Sequence, residues 1–163
     1  MNETIKTQNV GFNSHEIKGS LEKMDAGMKV AVDQLVFYPY FFFEYSLERK
    51  SFLHPNGGTV GCTIDALNGA GSLIDMSPVL NEQSVSDDNI IQRKLDSAKA
   101  KEIAETFLYD SISYKMKILS MPNLKLSKQE IFFRPYWIVE GVVQSANRFC
   151  LTVDSITGKY HPL

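Results

Sequence analysis

Two stretches of this chain, Met28 to Leu47 and Leu124 to Val143, are rich in Val, Ile, Phe, Tyr and Trp, with polar residues dispersed among them. Such runs read as long β-strands. Pro39 and Pro135 interrupt them, and since proline cannot donate to a ladder each should mark a bulge or an edge. The shorter apolar segments Thr59 to Leu67 and Arg148 to Ile156 then read as return strands, so the pattern predicts two β-hairpins. A helical period appears elsewhere: Ala100, Ile103, Ala104, Phe107, Leu108, Ser111 and Ile112 share one face, behind Asp96 or Ser97 as N-cap and ahead of a stop at residues 121–123 (MPN). A shorter helix is predicted from Ser14 to about Met24, weakened by Gly19.

The two strand regions align with each other. Residues 34–44 (QLVFYPYFFFE) match residues 130–140 (EIFFRPYWIVE), so that Phe37, Pro39, Tyr40 and Glu44 recur as Phe133, Pro135, Tyr136 and Glu140. Further on, residues 63–69 (TIDALNG) match residues 152–158 (TVDSITG), with seven more intervening residues in the first copy. Two blocks in the same order, with the length difference confined to a Pro/Asn/Gly-rich stretch, indicate an internal duplication.

Alternation along the matched strands separates two faces. Phe37, Phe41, Phe43 and Leu47, matched by Phe133, Trp137, Val139 and Val143, should pack on the helix; Phe107, Phe133 and Val139 should be buried. The other face, Tyr38, Tyr40, Phe42 and Glu44 against Arg134, Tyr136, Ile138 and Glu140, is amphipathic. Residues 77–89 are polar, acidic and aperiodic, and read as a connector. The organisation expected is a first α+β repeat over 1–76, a connector over 77–94 and a second repeat over 95–163. Copies of 65–80 residues are each about the marginal size for standing alone, which favours packing around a pseudo-two-fold axis.

On these residues the second copy resembles the PepSY family, with Ala98, Ala100 and Ala104 on the helix, Tyr136 to Glu140 on the middle strand, and Asp154, Thr157, Gly158 and Lys159 at the end. The first copy, with Asn68 in place of the threonine, is a degenerate version. The resemblance implies an α+β, cystatin-like curved sheet with a packed helix. It also implies a non-catalytic role in binding or inhibiting a protein or peptide, commonly outside the cytoplasm.

Composition narrows the classes. The chain has 163 residues with 17 Lys and Arg against 19 Asp and Glu, a formal net charge of −2, without the clustered basic excess of a nucleic-acid binder. The first thirty residues lack the apolar core of about 7–15 residues that a signal peptide needs. No run approaches the roughly 20 apolar residues of a membrane-spanning helix. The expectation is a cytoplasmic protein, or an extracytoplasmic one if this is a piece of a longer chain. A homo-oligomer is compatible with this composition.

Candidate chemistry is sparse. Asp65 to Gly69 and Asp154 to Gly158 carry a carboxylate able to accept turn N–H groups and a glycine suited to positive φ, which is turn chemistry. Glu44 and Glu140 occupy equivalent places, and a two-fold packing could bring two carboxylates together for acid/base or metal chemistry; equally, each could pair with a Lys or Arg. His15, His54 and His161 fit no zinc spacing, and no phosphate-cradling or nucleophile motif occurs, so no cofactor or metal is expected. Cys62 and Cys150 read as reduced thiols rather than a disulfide, their one-residue offset pointing them to opposite faces. The long first hairpin loop, with Phe52 and His54, is a contact candidate or plain length drift. The binding residues expected are therefore Tyr40, Glu44, Phe52, His54, Tyr136 and Glu140. The alternative to a binding module is a small-ligand binder or enzyme with a pocket between curved sheet and helix.

Overall fold

Both aromatic runs are single strands through their prolines, because each proline sits where its missing N–H is not needed. In the computed structural model, which describes residues 1–48, 58–116, 123–144 and 147–163, these are β2 (Met28–Leu47) and β6 (Leu124–Val143). The hairpin ladder of β2 with β3 (Thr59–Asp65) begins at Tyr40, one residue past Pro39, and that of β6 with β7 (Asn147–Asp154) begins at Tyr136, one past Pro135. The prolines still contribute as acceptors: Ala66 N donates to Pro39 O and Ser155 N to Pro135 O.

The remaining strands are β1 (Asn2–Thr7), β4 (Gly71–Ile74), β5 (Asn81–Ser86) and β8 (Tyr160–Pro162). The helices are α1 (Ser14–Met24) and α2 (Ser97–Met116). Among the described residues the eight strands form one mixed, mostly antiparallel sheet in the order β4-β3-β2-β6-β1-β5, with β7 on β6 and β8 on β7, so the protein is α+β. The segment expected as a structureless connector holds β5 and a 3-10 turn at Asp87–Asn89. Sequence periodicity misses it because β5 is held by backbone pairing to β1 and buries only Val85.

The chain folds into two compact units that are discontinuous in sequence and cut across the expected boundaries. One comprises Met1–Tyr38, Leu80–Ile91 and Phe133–Leu163; the other Pro39–Val79 and Gln92–Phe132. In the first unit, Ile17 and Leu21 of α1 pack against Val30 and Val32 of β2, Val139 of β6 and Val153 of β7. An Asn13–Glu16 capping box opens α1, which compensates for Gly19. A second, smaller cluster joins Ile5, Phe37, Val85 and Ile90, with Leu35 and Phe133 at its margin. In the other unit, Ala100, Ala104 and Leu108 of α2 pack on Phe41, Phe43, Tyr45, Cys62 and Ile64. Asp96 caps α2 by accepting from Lys99 N at 2.7 Å.

Each helix therefore covers the hairpin of the other half of the sequence, not the hairpin that follows it. The backbone entering each helix makes this connection: Gly11 and Phe12 N–H donate to Ser155 O beyond β7, and Lys94 and Leu95 N–H to Ala66 O beyond β3. Three burial expectations also change. Phe37 is buried in the small cluster with Ile5 instead of under a helix, and Phe133, expected to be buried, is only half-buried at the margin of that cluster. Phe107 is half-buried because its ring lies over the bare backbone of Gly71 at the rim of the α2 core. Phe42, placed on the amphipathic face, is only 1% exposed.

Candidate functional site

The matched Asp-to-Gly segments do structural work. Asp65 Oδ1 accepts from Leu67 and Asn68 N, and Asp154 Oδ1 from Ile156 and Thr157 N. Gly69 and Gly158 follow at φ +78° and +75°, a conformation that glycine adopts without strain. The turns reverse the chain so that β4 lies beside β3 and β8 beside β7. Asp154 also takes Arg134 Nη2 at 2.6 Å, which engages its second oxygen.

The expected binding residues fall in separate surroundings. In the second unit, the Tyr40 ring stacks on Phe132 at 5.7 Å, and Glu44, half-buried, accepts from Ser127 Oγ at 3.1 Å. In the first unit, the Tyr136 ring meets Tyr38 edge-on at 5.8 Å, and Glu140 is exposed opposite Cys150. The two glutamates line different grooves, each within its own unit. Phe52 and His54 lie outside the described residues.

Nothing in the sequence signals the feature that best qualifies as a site, the outer edge of β4. Antiparallel ladders alternate pairs that exchange hydrogen bonds with pairs that do not. Asp65 N donates to Ala70 O, so the bonded pairs continuing into β4 are Thr63 with Ser72 and Gly61 with Ile74. Gly71 and Leu73 accordingly direct their N–H and C=O groups away from β3, and β4 is the last strand on this side among the described residues. The equivalent edge of the other hairpin differs. Asp154 N bonds to Lys159 O and Leu163 N to Cys150 O, so Tyr160 and Pro162 take the outward positions of β8. Pro162 has no N–H to offer, which blunts that edge.

Beside β4, on the sheet face opposite α2, lies a depression of about 170 Å3 lined by Phe42, Glu44, Gly61, Ile74, Asp75 and Met76, among others. Its floor exists because Gly61 has no side chain: a Cβ there would stand 3.3 Å from Ile74 O and 3.4 Å from the Phe42 ring. Met76, at 78% exposed, extends the apolar rim into solvent. A larger open groove of about 710 Å3 in the first unit is lined by Lys29, Ala31, Glu140, Val142, Arg148 and Cys150, together with Val30 and Phe149 of the α1 core and its margin.

The cysteines occupy the opposite environments that their offset implied. Cys62 is fully buried under α2, where burial pushes its thiol up to about 12, whereas Cys150 is half-exposed in the large groove. Burial, and next to it the charge of Glu105, push the Tyr45 phenol up as well. Among the described residues no cluster of three or more His, Cys, Asp or Glu is placed to hold a metal ion, and no helix is long and apolar enough to cross a membrane. Comparisons with protein-family models, with curated proteins and with solved structures return no match.

Proposed function

We propose that this chain is a non-catalytic protein- or peptide-binding module of the regulator or inhibitor kind, which receives its partner as a strand added along β4. The observation that carries the reading is the unequal pair of hairpin edges. β4 offers the outward backbone groups of Gly71 and Leu73, while β8 offers Pro162 in the matching place. Strand addition draws its affinity from such main-chain groups and its selectivity from pockets for alternate side chains. The packing also supports binding over catalysis: Phe41, Phe43, Cys62, Ile64, Ala104 and Leu108 fill the space between sheet and helix with no exposure at all. The test is selection of a random heptapeptide display library on the immobilised chain, followed by amide exchange of the complex. Bound peptides that protect Gly71 and Leu73 support the reading, and a selection that yields no binder counts against it.

We also propose an internal duplication with a PepSY-like second copy. Its support is the agreement of local bonds at matched residues: Pro39 with Ala66 and Pro135 with Ser155, Gly69 with Asp65 and Gly158 with Asp154, Ile91 with Phe37 and Gln8 with Phe133. Replacing residues 154–158 by the sequence of residues 65–69 should leave a cooperative fold with little change in its urea midpoint. Loss of cooperativity would show that the turns are not interchangeable.

A further inference from the structure

The open edge of β4 and the depression floored by Gly61 adjoin, and their chemistry specifies what an added strand must carry. We infer that a partner strand places a lysine or arginine side chain in the Gly61 depression, so that the preferred partner is an extended basic peptide; this rests on the proposed strand-adding role of β4. Strands stand about 4.8 Å apart, so a long side chain on the added strand can cross β4 at Ile74 and reach the floor beside it. Ile74 and Met76 suit the aliphatic stem of such a side chain, which buries its methylenes while its charge stays at the rim. The charged residues lining the depression are Glu44 and Asp75, and neither forms an ion pair with a described residue. Glu44 keeps one oxygen on Ser127. Among the described residues Lys128 brings a cation close by, its ammonium 5.6 Å over the Phe42 ring. Among the described residues two carboxylates stand against that one ammonium, which leaves a negative charge for a second cation to answer, and the chain's net charge of −2 does not oppose it.

The experiment uses the full chain and the heptapeptides selected on it. Enriched sequences should carry Lys or Arg flanked by β-branched or aromatic residues, and a fluorescein-labelled winner should bind more weakly as salt rises. The double variant Glu44→Gln with Asp75→Asn removes both charges while keeping an acceptor for Ser127. It should weaken that peptide at least tenfold and flatten the salt dependence, with the urea midpoint of the free chain unchanged. Gly61→Ala, which shrinks the floor, should weaken it in the same direction. Winners lacking a cation, or affinity indifferent to the charge removal while Gly71 and Leu73 are protected, would overturn this inference and leave the strand-adding role standing. Protection confined to other strands would overturn both.

Discussion

Gly141→Ala should destabilise the native chain and stabilise a chain that lacks the Phe149 ring. A Cβ at Gly141 would fall on Phe149 Cζ and lie 2.7 and 2.8 Å from Cε1 and Cε2, far inside ordinary contact. Phe149 packs at the margin of the α1 core, so its ring can retreat only by giving up contacts there. Overpacking of this kind costs about 1–3 kcal/mol. Gly141 lies outside the positive-φ region, so alanine also removes unfolded-state freedom, a gain of about 0.4–1 kcal/mol. The net expectation is a loss of about 1–2 kcal/mol in the native background and a gain of a few tenths to about 1 kcal/mol in Phe149→Ala. The coupling between the two sites is then about 1–3 kcal/mol. Urea melts of the four proteins in the cycle measure it directly, provided m stays constant. Additive effects, or a stabilising Gly141→Ala in the native chain, would show that the glycine is not there to seat the ring.

Two further expectations follow from buried chemistry and chain path. The Cys62 thiol is raised from 9.0 to about 12, so above pH 9 the unfolded chain loses a proton that the native chain keeps, and stability should fall by about 1.4 kcal/mol per pH unit from this group. Urea midpoints between pH 8 and 10.5 should therefore decline less steeply in Cys62→Ala, and equal slopes would contradict the assignment. A protease site placed at residues 77–79 and cleaved should leave both fragments co-eluting under native conditions, because each compact unit draws on both sides of the cut. Fragments that separate without denaturant would refute the exchanged pairing of helices and hairpins.

What could be read in the sequence was what local chemistry dictates. The bounds of β2 and β6, the extent of α1, the buried face of α2 at Ala100, Ala104 and Leu108, and the two Asp-to-Gly turns all follow from period, capping and turn residues near in sequence. Partner choice did not follow. An apolar helix stripe fits any complementary sheet face, so nothing in Ile17 or Ala104 says which hairpin each will cover. β1 and β5 escaped because Ile5, Thr7 and Val85 are their buried residues and pairing with each other does the rest. The site was hidden for a related reason. Whether Leu73 turns its amide outward depends on ladder register, and the residues chosen for their side chains, Tyr40 and Tyr136, have rings packed against Phe132 and Tyr38.

Residue-resolved hydrogen exchange of the free chain tests the open edge most directly. The amides of Gly71 and Leu73 should exchange at rates near those of an unstructured peptide, while those of Ser72 and Ile74, bonded to Thr63 and Gly61, should be slowed in proportion to the stability of the β3–β4 ladder. Protection of Gly71 and Leu73 equal to that of their neighbours would mean that the edge is already covered, and would contradict the account.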